Sequence, residues 1–225
     1  MLRVILEIGK KRRVVASAVD WPGLDRWGTS EDDAIEKLVS YLPRYAGVAE
    51  RAGMAKAFVG ARDVEVVERV PGSSSTDFWG IAHVPSQIER EVLSPTDLER
   101  RLDLLRGCWA YFDDVAARAP AELLPGPRSA GRSRDQVIRH TYGTEPGQMS
   151  RKVEVRTELD VVLTPKGLAR HREAYLEAIR TYNAEGKPAR TWPIQFLVRR
   201  TAYHVTDHAW ELEDRDPARS ASASP

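Results

Sequence analysis

The chain has 225 residues, 42% hydrophobic and 30% charged, which is the composition of a globular protein with room for one large domain or two small ones. Its 34 lysines and arginines face 33 acidic residues, so no net field gathers nucleic acid or anionic lipid. The single cysteine, Cys108, excludes an intrachain disulfide and fits a reducing cytosol. No window approaches the ~20 apolar residues of a membrane span, and the first apolar run, Val4 to Ile8, is too short for a signal peptide. A cytoplasmic protein with no membrane role is expected.

In chain order, residues 2–9 and 12–19 are two short β-branched runs separated by Lys10 and Lys11, a predicted hairpin. DWPGLDRWG, residues 20–28, is loop chemistry around Pro22 and Gly23. Ser30 and Asp33 stand at capping-box spacing and open a helix whose buried face is Ala34, Ile35, Leu38, Val39 and Leu42, with a break at Pro43. VEVVERV, residues 64–70, alternates and returns to strand. Residues 1–70 therefore read as a β-β-α-β unit. Trp21 and Trp27 flank its loop and read as packing anchors rather than pocket walls. Residues 71–93, beginning PGSSST, read as a linker with one apolar patch, DFWGIAHV, and a solitary structural histidine, His83.

Residues 94–217 are helical in pattern. Ser94 and Pro95 start a helix running to Ala119 with Leu98, Leu102, Leu105, Trp109, Phe112 and Val115 on its inner stripe, closed by Pro120, Pro125, Gly126 and Pro127. Cys108 lies inside this run and reads as a small core residue. Ser133 begins a second helix with Val137, Ile138 and Tyr142 inward, and Gly143, Pro146 and Gly147 kink or interrupt it. Thr164 and Pro165 open a third, with Leu168, Tyr175, Leu176 and Ile179 facing the core. Trp192 to Arg215 is the fourth, capped by Thr191 and followed by Pro217, with Ile194, Leu197, Val198, Ala202, Val205, Ala209 and Leu212 as its stripe. Residues 218–225, ARSASASP, read as a disordered tail.

His204 and His208 are four apart in the fourth helix, so their rings stack on one side. The spacing alone fits either a pair of metal ligands or two unrelated histidines, and only a third ligand separates the two. His140 shares the apolar side of the second helix and can meet them. His171, between Arg170 and Arg172, is expected to be solvated. Arg200, one turn before His204, is a candidate anchor for a carboxylate of substrate or cofactor, with a surface ion pair as the plainer alternative. Glu211, three beyond His208, is a candidate to orient a ligand, with a simply exposed side chain as the plainer alternative. Glu213, Asp214 and Arg215 read as a solvated helix end.

DWPGLDRWGTSEDDAIEKL resembles the small HicB-like modules of bacterial antitoxins, over residues 1–70. No DNA-binding segment follows it. VIRHTYGTE in the second helix with RRTAYHVTDHAWELEDR in the fourth resembles the DinB-like four-helix bundles, over residues 95–216. That superfamily includes bacillithiol- and mycothiol-dependent transferases and isomerases. The resemblances imply an α+β HicB-like module followed by an all-α DinB-like four-helix bundle that pairs as a homodimer. They imply His140, His204 and His208 as the three ligands of a divalent metal (Zn, Ni, Fe or Mn) in a bacterial enzyme.

Three neutral imidazoles leave coordination sites open, as in catalytic rather than structural centres. The expected partners are a small-molecule substrate and a low-molecular-weight thiol, with mycothiol suggested by the arginine- and alanine-rich composition of a high-GC bacterium. The expected activity is that of a thiol-dependent transferase or isomerase, or a hydrolase using activated water. The competing expectation is a regulatory protein in which the HicB-like module recognises a partner and the bundle is a metal-stabilised dimer scaffold.

Overall fold

The computed structural model describes residues 1–59, 63–126 and 131–222, with no description of side chains beyond Arg219. An N-terminal four-stranded mixed sheet is followed by a mostly helical region. Strands β1 (Leu2–Ile8) and β2 (Val14–Ala18) form the expected hairpin, pairing Val4 with Ala18 and Ile8 with Val14. Strand β4 (Val64–Pro71) runs parallel to β1 on its other side, with an irregularity between Val4 and Ile5.

The 20–28 stretch is only partly loop. Its last four residues form β3 (Asp25–Gly28), antiparallel to β2, so the sheet order is β3-β2-β1-β4. Gly23, at φ +96, makes the turn into β3 within van der Waals reach of the Ala202 backbone, where a Cβ would stand 3.2 Å from the Ala202 carbonyl.

Between β3 and β4 run α1 (Glu31–Ser40), α2 (Leu42–Arg51) and α3 (Ala55–Val59). Ser30 caps α1 by accepting from the Asp33 amide, while Asp33 reaches back to Thr29 rather than to Ser30. Pro43 marks the first turn of α2, where its missing N–H costs nothing.

Residues 71–93, expected as a linker, are strapped to the sheet. Ser73 and Thr76 make a capping box for α4 (Ser74–Trp79), and the buried Glu7 carboxylate of β1 accepts from the Thr76 hydroxyl and from the His83 and Val84 amides. A 3-10 turn at Ile88–Arg90 then buries Glu89.

The long helices fall where the periodicity places them. Helix α5 (Pro95–Arg118) is capped by Ser94, α6 (Arg134–Thr144) by Ser133, and α8 (Pro165–Ala184) by Thr164. A π-helical turn (Glu145–Met149) and a 3-10 turn (Ser150–Val153) follow α6 at the expected Pro146–Gly147 interruption, before the short α7 (Leu159–Val162).

Helix α9 (Ile194–Asp214) starts two residues later than expected, with Pro193 rather than Thr191 at the N-cap position. The tail expected to be disordered begins with α10 (Pro217–Ser222). Pro127 and residues 223–225 lie outside the described residues.

Every predicted stripe residue of α9 is buried, but so are Gln195, Arg199, Arg200, Thr201 and Thr206. The helix has two covered sides. One packs on α5, and the other meets the sheet, where the Thr206 hydroxyl donates to the Gly23 carbonyl at 2.7 Å and Arg199 reaches Ser17 and Asp25. The apolar core is accordingly continuous from Leu2, Val4 and Leu6 of β1 through Leu102 and Phe112 of α5 to Val198 and Trp210 of α9. Trp21 packs edge-on against Phe58 in that core, and Cys108 is buried against the Pro22 carbonyl.

Candidate metal centre

Helix α6 delivers His140 and α9 delivers His204 and His208 to one point. Their ligating nitrogens all lie within 4.8 Å of one another, and the group could hold a metal ion. The Nε2 atoms of His140 and His204 are 3.3 Å apart. Two nitrogens each bound at about 2.0–2.1 Å to a tetrahedral ion stand roughly 3.3–3.4 Å apart, so this pair is already at coordinating separation. The three ring centroids are mutually 4.7 to 5.2 Å apart. His140 is exposed and the other two are half-buried, so the point of convergence opens to solvent on the α6 side.

Two of the three rings, His140 and His204, favour the uncharged form. Burial, then the neighbouring His208 and Arg132, lower His140 to about 4, with Glu211 opposing. Burial and the crowding of His208, His140, Arg200 and Arg132 put His204 well below its ordinary value. The neutral imidazole is the form that donates a lone pair to a metal.

Behind the rings is a polar relay. His208 Nδ1 meets Glu211 Oε2 at 2.7 Å, and Glu211 Oε1 accepts from Arg215 at 3.0 Å. Burial raises the Glu211 pKa, but His208 and Arg215 outweigh it and hold the carboxyl down to about 2. A carboxylate on Nδ1 fixes the tautomer that leaves Nε2 free as a ligand atom. Arg215 is itself buried, donating to the Leu124 and Arg132 carbonyls, so of the helix end expected to be solvated only Asp214 is exposed and Arg215 is a packed support instead. Glu213 likewise accepts from Arg44 and Tyr111. Glu211→Gln is expected to weaken zinc binding about 10- to 100-fold in a chelator competition, and an unchanged affinity would show that the relay does not support the ligand.

His171 does not join the cluster, and it is not solvated. It is 2% exposed, with Nδ1 2.9 Å from Thr157 Oγ1 and Nε2 3.6 Å from Glu145 Oε1. Its place on the Leu168–His171–Tyr175 stripe of α8 explains this, a signal that the flanking arginines obscured. His83 packs its ring edge-on against Trp192 at 5.4 Å.

Arg200 stands one turn before His204 and is buried, so it is not the surface ion pair of the plainer reading. A cleft of about 600 Å3 lies elsewhere between Arg3, Asp20, Trp21 and Arg100, where Arg3 and Asp20 are paired with each other and, among the described residues, no group of potential metal ligands comes together.

No protein-family model, curated protein or solved structure matches this chain. Among the described residues, no helix is long and apolar enough to cross a membrane.

Proposed function

We propose that the chain is a metal-dependent enzyme of the DinB-like kind, in which His140, His204 and His208 hold one divalent cation and a small thiol or an activated water is the nucleophile. The observation that carries this reading is the convergence of imidazoles from two helices, with Glu211 already oriented behind one of them. A divalent ion held by three neutral nitrogens supplies a Lewis acid that lowers the pKa of a bound water or thiol.

The chain's own part is to hold the His140 and His204 rings neutral, to fix the His208 tautomer through Glu211, and to leave the His140 side open for entry. The thiol has to arrive from solution, because Cys108 is fully buried and burial pushes its thiol far above the ordinary value. Zn, Ni, Fe and Mn all accept such a donor set, and imidazole favours the first three.

The test is metal content after gentle purification. About one equivalent is expected in the wild type and in His171→Ala, and almost none in His208→Ala. Less than about half an equivalent in the wild type, even after incubation with zinc and desalting, would overturn the reading. A cobalt-substituted sample mixed with a small thiol is further expected to show a thiolate-to-metal charge-transfer band. A full metal site with no such band and no hydrolysis of activated esters would favour the regulatory reading, in which the N-terminal sheet recognises a partner.

A further inference from the structure

Four arginine side chains are buried among the described residues: Arg101, Arg199, Arg200 and Arg215. Arg101 donates to the Val19 carbonyl, Arg199 to Glu89, Asp25 and Ser17, and Arg215 to two carbonyls and Glu211. Arg200 alone of the four has no hydrogen-bond acceptor. Its Nε and Nη1 are sealed from solvent without a partner, and the guanidinium otherwise lies 5.2 Å from the Tyr203 ring centroid. A guanidinium cannot shed its charge, so burying one without acceptors is costly unless something else fills the place.

The surroundings say what would fill it. Arg200 stands one helical turn before His204 on the same side of α9, so its unpartnered guanidinium lies beside the metal centre. Lys152, from the 3-10 turn after the π-helical turn, sits 3.7 Å from the Trp192 ring and also repels charge on His83. On the inner side, Asp25 and Glu7 act on Arg200 only at a distance, because Asp25 is spent on Arg199 through Oδ2 and Glu7 on the 76–84 strap. Asp25 Oδ1 is also without a hydrogen-bond partner, so a water shared between it and Arg200 is the competing occupant.

We propose that Arg200 is the floor of an oxyanion subsite beside the metal centre, taking the carboxylate of a small anionic substrate whose reacting end lies at the three histidines. Helical rise places Arg200 about 6 Å along α9 from His204, the reach of a short dicarboxylate or keto acid. Guanidinium is the side chain suited to a planar carboxylate, because its fork presents two parallel N–H groups. The word substrate here rests on the metal-dependent reading above; the binding of the anion does not.

The experiment titrates the full-length chain, metal-free and zinc-loaded, with succinate, acetate and inorganic phosphate at constant ionic strength, reading calorimetric heat and thermal midpoint. Saturable succinate binding is expected in both forms, at least tenfold weaker in Arg200→Gln and intermediate in Arg200→Lys, with zinc content unchanged in all. Zinc is expected to tighten succinate at least tenfold more than acetate, since only the dicarboxylate reaches both ends. Arg200→Gln is expected to fold with an undiminished midpoint, because it removes an unpartnered charge, and Arg200→Lys carries the comparison if it does not.

No saturable binding in the metal-free wild type, or equal binding by the wild type and the Gln variant, overturns the subsite and assigns Arg200 to a bridging water. Phosphate binding as tightly as succinate replaces the carboxylate assignment with a phosphate one. Anion binding that ignores zinc separates the subsite from the active centre. A chain that takes up no zinc yet binds succinate through Arg200 defeats the metal reading and leaves the anion site standing.

Discussion

Replacing Arg199 with alanine is expected to destabilise the chain by about 3–5 kcal/mol, the range for stranding one side of a buried ion pair. Arg199 is 2% exposed and ties three parts of the molecule together. Its Nε is 2.6 Å from Glu89 Oε1, its Nη2 is 3.1 Å from Glu89 Oε2, and its Nη1 reaches Asp25 and Ser17 at 3.1 and 2.9 Å. Glu89 comes from the 71–93 strap, and Asp25 and Ser17 from adjacent strands, all fastened to α9 through this one side chain.

Burial raises the Glu89 pKa, but Arg199 and the Ser86 bonds more than offset it and leave the carboxyl below its ordinary value. A lowered folded pKa is stability present above the unfolded value and lost on acidification. Without Arg199 the sign reverses, because Glu89 becomes a buried carboxylate that folds more easily protonated. The deficit of Arg199→Ala, measured by urea unfolding, is therefore expected to be largest at pH 8 and smaller at pH 4.5. A deficit below about 1 kcal/mol at pH 8 would mean that the strap and sheet hold α9 without it.

Glu145→Gln is expected to stabilise the chain at alkaline pH, by up to about 3 kcal/mol at pH 8, and to do little at pH 4. Burial pushes the Glu145 carboxyl up to about 7, with Arg172 and Trp109 only partly opposing. The raised folded pKa means that this group's contribution is fully present below about 4.5 and lost as pH rises through about 7. A shift of about 2.5 units corresponds to roughly 3 kcal/mol. Its neighbour His171 is lowered to about 4, by burial first and then by Arg172, so its contribution is present above 6.5 and lost as pH falls through about 4. The pair is therefore folded in its neutral forms across the pH range between, with Oε1 and Nε2 3.6 Å apart. Glutamine removes the carboxyl's titration and leaves that of His171. Equal effects of the substitution at pH 4 and pH 8 would show that Glu145 holds no extra proton in the folded state.

The histidine convergence was legible because helical spacing is local information. Two histidines four apart on one side of an amphipathic helix, and a third inside a capped helix, need only that both helices point inward. The caps at Ser94, Ser133 and Thr164 were equally legible, since a side-chain oxygen three residues ahead of an orphan amide is a short-range event.

Strand β3 was not, because Asp-Arg-Trp-Gly lacks β-branched alternation. It is held from outside by the pairing of Asp25 with Arg199 and by the Arg26 guanidinium, which stacks 3.6 Å from the Tyr41 and 4.0 Å from the Trp210 ring centroids. The burial of Arg199 was missed for a related reason. In sequence it sits on the polar side of α9, and only the sheet packed on that side turns it into an interior. Glu145 is drawn inward by the π-helical turn, whose changed register a uniform helical wheel does not anticipate.

The most direct measurement is X-ray absorption on the full-length chain loaded with one equivalent of zinc. Three imidazole nitrogens at about 2.0–2.1 Å with one or more lighter donors is the expected shell, falling to two imidazoles or to no bound zinc in His140→Ala. A wild-type shell with fewer than three imidazoles, or one unchanged by His140→Ala, would contradict the proposal that α6 and α9 build a single metal centre.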